Sequence, residues 1–358
     1  MKRFISFPSI EQYRNIVHDI EHTSAYVGID ENGNAIMDCS RPKPILTFTG
    51  TVKLHGTNAS VCYDGTELWA QSRNNIITFE NDNAGFASFV HKNTDVFEEF
   101  FKGIIKKYNI DMTCNIISIH GEFCGGNIQK GIAINGLEKM FVIFGVKISP
   151  NNPSNQSNSK ISAYWVDHGF DVSVAHGNII FLSEGSRNIW NIEDFKIYSI
   201  TIDFNNPKGA QNELIRLTEE VEAECPVGKD FGVKGIGEGI VWTHTLKDGS
   251  RYVFKVKGEK HSSSKVKKLA TVDIEKINSV KEFVTYAVTE NRLNQGVEQV
   301  FTINNKQIDI KDTGIFLKWV VSDIFKEERD TLAANNLTSK DVSGEISKVA
   351  RNWLLKQI

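Results

Sequence analysis

The chain has 358 residues, 40% of them hydrophobic and 24% charged, with 7 prolines and a formal net charge of −3. This composition excludes global disorder, and the length calls for two domains, because single cores rarely grow past about 250–300 residues. The five cysteines (Cys39, Cys62, Cys114, Cys124, Cys225) are odd in number and lack CxxC spacing, which argues against a disulfide framework and against a structural zinc site. His120 and Cys124 lie four apart, but a lone pair makes a poor metal site. The basic start MKRFISFPSIEQYRNIVHDIEH meets charge too early for a signal peptide, and no run of about 18 apolar residues occurs. A soluble, cytoplasmic protein with free thiols is expected.

In chain order, residues 9–21 place Ile10, Tyr13, Ile16, Val17 and Ile20 at helical spacing. From Ile45 the pattern turns strand-like, in ILTFTGTVKL, SVCYDG and ELWAQS, with Gly, Asn and Asp turn signals between them. Phe86–Tyr108 reads as helical, NIISIHGEF and MFVIFGVKI as strands, and residues 150–160 (PNNPSNQSNSK) as a polar surface loop. A helical pattern covers residues 210–224, and EGIVWTHTL and RYVFKVK form a hairpin through KDG. After His261 the period becomes helical. Ile277, Val280, Phe283, Val284, Ala287 and Val288 share one face, as do Phe316, Val320 and Ile324, and Val342, Ile346, Val349 and Trp353. With SSSKVKK as the linker, the expected fold is α+β: antiparallel sheets with flanking helices over residues 1–262, then an all-helical domain over 268–358.

The near-neutral balance hides one basic stretch. Arg251–Lys268 holds seven Lys/Arg and one glutamate, Glu259, so 7 − 1 = +6, a cluster that attracts polyanions.

The sharpest chemical feature is Lys53 in KLHGTN, at the end of a predicted strand. A lysine is a nucleophile only when neutral, so its usual pKa near 10.4 must fall through burial or neighbouring cations. Gly56 after it would let a phosphate approach closely. Other polar sites fit the same chemistry. Arg73 in QSRNN is suited to a phosphate, Glu122 in HGEF to ribose hydroxyls, and Phe144 in FVIF to stacking on a base. Glu238 is suited to a divalent cation or its water shell. Lys255 and Lys257 alternate on one strand face, where they would neutralise phosphate charge and depress the pKa of a neighbouring lysine.

KLHGTN, SRN, HGEF, FVIF, EGIV and KVK, in this order, resemble the motif series of the covalent nucleotidyltransferases: DNA ligases, RNA ligases and mRNA capping enzymes. The His and Asn of KLHGTN, and GEF followed by GNIQKG, are most similar to the phage T4 RNA ligase 2 family, which includes RNA-editing ligases. The resemblance spans roughly residues 45–260 and continues faintly at TENR (Arg292) and SDI (Asp323). It implies an ATP-grasp-like ligase fold for the N-terminal domain, with Lys53 as AMP acceptor. It further implies Arg73 on phosphate, Glu122 on ribose, Phe144 on adenine, Glu238 in metal-dependent catalysis, and Lys255 and Lys257 on the ATP phosphates. His55 and Asn58 would serve the steps around adenylate formation, and Arg292 and Asp323 the 5′-phosphate RNA end. Gly145 stands where that family often has an acidic residue, and residues 150–160 look like an insertion.

The implied reaction is ATP-dependent RNA ligation with Mg²⁺ or Mn²⁺, joining 3′-OH and 5′-phosphate RNA ends through lysyl-AMP and RNA-adenylate, for repair of nicks in duplex RNA. A monomer is expected, without a membrane partner, in the cytoplasm of its own cell or, if phage- or virus-encoded, of the host. The alternatives are a DNA ligase or a GTP-dependent capping enzyme, both of which usually carry a β-rich OB domain where this chain reads as helices, and a non-catalytic RNA-binding relative.

Overall fold

The computed structural model describes residues 2–129, 131–151, 163–166, 183–259, 280–302 and 306–358. The N-terminal part runs β1 (Glu11–Gln12), α1 (Tyr13–Ala25), β2 (Tyr26–Ile29), β3 (Ala35–Met37), β4 (Ile45–Lys53), β5 (Thr57–Tyr63), β6 (Leu68–Ser72) and β7 (Ile76–Ile77). It continues through α2 (Phe86–Lys92), α3 (Thr94–Tyr108), β8 (Asn115–Cys124), β9 (Met140–Pro150), β10 (Tyr164–Val166), β11 (Ile189–Asn191) and β12 (Ile197–Asp203). Next come α4 (Gln211–Ala223), α5 (Pro226–Asp230), β13 (Gly239–Thr245) and β14 (Arg251–Lys257). The C-terminal part is helical: α6 (Val280–Ala287), α7 (Glu290–Val297), a π-helical turn (Glu298–Thr302), α8 (Thr313–Glu327), α9 (Arg329–Ala334) and α10 (Ser339–Leu354).

Two sheets carry the N-terminal part. One has five strands in the order β1-β14-β13-β4-β12; the other has seven, β10-β9-β8-β5-β6-β7 with β11 beside β9. Each sheet buries one face under helices. In the five-stranded sheet Phe48, Val52, Ile240, Trp242, Phe254 and Val256 enter a core with α1 and α4. Period-two alternation therefore turns Thr49, Thr51, Lys53, Val241, Lys255 and Lys257 to the other face. In the seven-stranded sheet Ile117, Ile119, Phe123, Phe141 and Ile143 pack against Phe97, Phe101 and Ile104 of α3, leaving Glu122 and His120 on the opposite side of β8. Fully burying each such apolar side chain contributes about 1.5–3 kcal/mol, so these two helix-covered cores fix which face is left for chemistry.

The helix expected from residue 9 starts only at Tyr13, because Glu11 and Gln12 pair in parallel with Phe254 and Lys255 of β14. The pattern over Phe86–Tyr108 is broken at Asn93 into α2 and α3. On α10 the buried residues are Val342, Ile346, Ala350 and Leu354, four apart. Val349, expected on that stripe, is 38% exposed, because it sits about 100° round the helix from Ala350. Most of the 150–160 loop, the 262–268 linker, Ile277 and the Lys260–Lys268 half of the basic stretch lie outside the described residues. All five cysteines are free. Among the described residues no helix is long and apolar enough to cross a membrane.

The helical part has its own core, centred on Phe283, Phe301, Phe316, Val320 and Ile346, and meets the first part through ions. Glu328 has no exposed side-chain surface and lies 3.1 Å from Arg14 of α1 and 3.3 Å from Arg292 of α7. Tyr286 Oη donates to the same carboxylate at 3.1 Å. Arg292 also holds Asp323 at 2.9 Å and donates to the Ala287 carbonyl. Arg292, assigned to the RNA end in the sequence, has a side chain that is 0% exposed and committed to protein partners.

Arg292→Met is expected to destabilise the chain by about 3–5 kcal/mol, because it removes the cation holding Asp323 and leaves the fully buried Glu328 with one arginine, Arg14, instead of two. Urea unfolding checks this; a loss under about 1 kcal/mol would mean that the network does not hold the helices together.

Candidate active site

Lys53 ends β4 on the cleft side, and Glu238 precedes β13, whose first residue, Gly239, is opposite Lys53 in the register. That pairing brings the two side chains together: Lys53 Nζ is 2.7 Å from Glu238 Oε2. Lys257 reaches Glu238 Oε1 at 3.1 Å from β14, and His55 Nδ1 meets Oε2 at 3.0 Å. One carboxylate, 1% exposed, is thus held by three cationic side chains. Burial alone would raise the pKa of Glu238, but Lys53, Lys257 and His55 outweigh it and hold the group well below its ordinary value.

Burial pushes Lys53 toward the neutral amine, with Lys257 helping and Glu238 opposing, and the net shift is downward. For His55 burial also disfavours charge, yet Glu238 and Glu298 overcome it and raise its pKa to about 9. Its Nε2 is 3.4 Å from Glu298 of the π-helical turn, so a residue of the helical part reaches the site. Glu122 accepts a hydrogen bond from the Gly56 N–H at 2.9 Å; burial, with Glu238 nearby, raises its pKa to about 7.

Gly56 has a structural reason as well. A Cβ there would run into the Phe123 carbonyl oxygen and Cys124 Cβ of β8. Gly56 lets β8 close against the loop, and Gln129 fastens the same residue by donating to its carbonyl at 2.7 Å. Gln129, within GNIQKG, had no role in the sequence reading; its burial marks it out only once the fold is known.

Phe144 owes its position to a bulge. His120 pairs with Gly145 and Gly121 with Ile143, so Phe144 is the unpaired extra residue of β9. The bulge switches the alternation from Phe141 and Ile143 to Val146 and Ile148 in the helix-covered core and leaves Phe144 lining the cleft. This cleft, about 980 Å³, is lined by Thr49, Thr51, Lys53 and Val241 from the five-stranded sheet and by Asn58, Glu122, Phe144 and Trp165 from the seven-stranded one.

Of the sequence-predicted residues, the structure gathers Lys53, His55, Glu122, Glu238 and Lys257 into one cluster, with Asn58 opposite Glu122 in the register. Arg73 lies close enough to Glu122 to feel its charge. Lys255 points instead to Glu327 of α8, with which it forms an ion pair, and Asp323 is engaged by Arg292. Arg251, in the described half of the basic stretch, lies 4.8 Å over the Trp165 ring. Arg251, Lys255 and Lys257 are therefore committed to the cleft and its partners, not arrayed as a solvated stripe. His120 is buried beside Lys147 and Arg73, its pKa lowered to about 3, which keeps it neutral. Among the described residues no cluster of three or more His, Cys, Asp or Glu could hold a metal by itself.

His55 yields a pH prediction. Its pKa is raised from 6.5 to about 9 on folding, so its contribution is complete below pH 6.5 and is lost as pH rises through 9. The melting temperature is expected to fall over that window by the equivalent of up to about 3 kcal/mol, and His55→Gln should remove this component. Parallel pH–melting curves for both proteins would count against the assignment.

No curated protein matches the chain at a significant level. Among solved structures, the chain is similar to Naegleria gruberi RNA ligase with PPi at 16% identity and a TM-score of 0.42, over 72% of this chain and 57% of that one. Mutant forms of the same ligase with ATP and Mn, and with AMP and Mn, align at 16% identity and TM-scores of 0.41, again over 72% and 57%. The chain thus spans less than two thirds of the length of these structures. The family description "RNA ligase" matches residues 46–257, more than half of the chain and every cleft residue from Lys53 to Lys257. The chain belongs to the RNA ligase family.

Proposed function

We propose that the chain is an ATP-dependent RNA ligase of the phage T4 RNA ligase 2 type that seals nicks in duplex RNA. The observation that carries the reading is the Lys53–Glu238–Lys257 arrangement, in which Lys53 lines a cleft that also presents Phe144 and Glu122. Burial and Lys257 favour a neutral amine on Lys53, and Glu238, ahead of Glu122, is the largest influence opposing them. Any ligand that draws the Glu238 carboxylate away therefore frees Lys53 to act as a nucleophile.

ATP is the proposed occupant, with its base against Phe144, its ribose at Glu122, and its phosphates toward Arg73, Lys255 and Lys257. Neutral Lys53 Nζ attacks the α-phosphorus; a P–N bond forms, the bond to the β-phosphate oxygen breaks, and pyrophosphate leaves. The adenylyl group then passes to a 5′-phosphate RNA end, and a 3′-hydroxyl displaces AMP to form the phosphodiester. Lys257 and Arg73 stabilise charge on the transferring group, while the two-sheet cleft supplies orientation. His55, protonated at neutral pH, and Asn58 complete the donor set around the α-phosphate. Asp323 is assigned to RNA-end engagement, and Arg292 acts there by orienting it.

Glu238 and Glu122 fit a Mg²⁺ or Mn²⁺ ion that keeps most of its water and shares the nucleotide's phosphates, as expected where one or two carboxylates stand without a protein cage. When bound, such an ion shields phosphate charge during attack. A monomer acting in the cytoplasm, its own or a host's, completes the proposal.

Incubation with α-labelled ATP and Mg²⁺ is expected to label the protein, and Lys53→Ala to abolish the label. No label from ATP or GTP would sink the enzyme reading, and a preference for GTP would move it to the capping class. Sealing of nicked duplexes should require RNA on the 3′-hydroxyl side; indifference to that sugar would favour a DNA ligase.

Glu327 occupies Lys255, so ATP phosphates must compete with it. Glu327→Gln is expected to lower the KM for ATP in lysine adenylation roughly three- to fivefold, the scale of one partly exposed ion pair. An unchanged or higher KM would show that Glu327 does not contend with the nucleotide.

A further inference from the structure

Residues 3–12 lie outside residues 46–257, yet they cross the cleft from one sheet to the other. The crossing is anchored at both ends. The Ile5 N–H donates to Gln71 Oε1 at 2.9 Å and Gln71 Nε2 returns a bond to the Ile5 carbonyl at 3.0 Å. Gln71 is fully buried on β6 and also donates to Ser60 Oγ at 3.0 Å, so the strap begins on a rigid point of the seven-stranded sheet. It ends where Glu11 and Gln12 pair with Phe254 and Lys255 of β14 in the other sheet. Gln12 Nε2 then donates to the Glu327 carbonyl at 3.0 Å, tying the strap to α8 as well.

Between the anchors, Phe7 turns into the cleft. Its ring centroid is 5.0 Å from that of Phe144, edge to face at 62°, and 5.3 and 5.5 Å from those of His120 and Trp165. The Arg73 guanidinium carbon lies 5.9 Å from the Phe7 centroid, and Arg73 NH1 is 3.4 Å from the Pro8 carbonyl. Phe144 sits on a bulge and is only half-buried, with part of its ring packed against the core of the five-stranded sheet. An edge-to-face partner adds a preferred tilt, because the positive rim of one ring seeks the negative face of the other. The same ring faces the Arg73 cation.

We propose that this strap is a wall of the nucleotide site and that Phe7 is its positioning residue, setting the Phe144 ring for the base and the Arg73 guanidinium for the phosphates. The proposal rests on the ATP reading above. It gives the N-terminal segment a part in ATP affinity, with no part in bond making.

The test uses the full-length chain and lysine adenylation measured across ATP concentrations, for wild type and for Phe7→Ala, Phe7→Leu and Phe7→Tyr. Phe7→Ala and Phe7→Leu are expected to raise the KM for ATP about tenfold with kcat changed less than about twofold, and Phe7→Tyr to restore it. Phe7→Leu keeps apolar volume in place, so an equal thermal midpoint there separates positioning from folding even if Phe7→Ala is unstable. The proposal is overturned if Phe7→Leu matches wild type in KM, or if kcat falls while KM stays constant. If wild type itself forms no adduct with ATP, the nucleotide reading falls and the strap proposal with it; adduct formation with an unaltered KM in the variants removes the strap proposal alone.

Discussion

The Glu238 carboxylate is the constraint around which the rest of this molecule is arranged. A buried anion is tolerable only with partners in good geometry, and Glu238 has Lys53 at 2.7 Å, His55 at 3.0 Å and Lys257 at 3.1 Å. These partners come from the end of β4, the loop after it, and the end of β14, so the β4-β13-β14 ladder must be in register for the charge to be satisfied. The same set also creates reactivity. Burial first, and the neighbouring Lys257 second, make Lys53 easier to deprotonate than an exposed one-to-one pair would be. In the proposed reaction, stability and the nucleophilicity of Lys53 therefore depend on the same carboxylate, and a ligand that competes for it loosens one while enabling the other.

Much of this was legible because period-two alternation is a strong signal. TVK at the end of β4 and KVK at the end of β14 place Lys53, Lys255 and Lys257 on the face opposite Val52 and Val256, and the fold uses that face as the cleft. Glu122 and Glu238 were marked by their position at strand ends beside glycines. The Phe144 bulge was not legible: FVIFGVKI reads as an uninterrupted strand, and only the partner strand reveals that Phe144 is the extra residue. The structural role of Gly56 was not legible for a similar reason. Its close neighbours, Phe123 and Cys124, come from more than sixty residues away in sequence. The role of the N-terminal strap was silent because its contacts, the Ile5 backbone with Gln71 and the Phe7 ring with Phe144, reach distant parts of the chain and leave no periodic trace.

The helical part illustrates a different limit. Its apolar stripes were readable, and Val342, Ile346, Phe316 and Val320 fall in its core. What the stripes do not encode is docking, which rests on single polar residues, Arg14, Glu298, Glu327 and Glu328 among them. A lone buried glutamate such as Glu328 looks like any surface acid in the sequence, because its two arginine partners lie 36 and 314 positions away.

In the ATP-dependent reaction proposed above, this docking also bears on the catalytic cycle. Glu298 faces His55 and Glu327 faces Lys255, so the helical part presents carboxylates to the groups assigned to nucleotide phosphates. Carboxylate and phosphate oxygens satisfy the same donors, but a carboxylate carries less charge than a triphosphate, so the exchange favours the nucleotide once it arrives. Burial without any partner would cost each cation more than either pairing. The two carboxylates therefore keep the site charged and assembled between turnovers, and the strength of their hold sets how readily the nucleotide enters. The Arg14–Glu328–Arg292 network is buried away from this exchange, so it anchors α8 and α9 while the carboxylates at the cleft trade partners. Separating a permanent buried latch from a replaceable ionic contact lets one small helical unit stay attached and still yield the site.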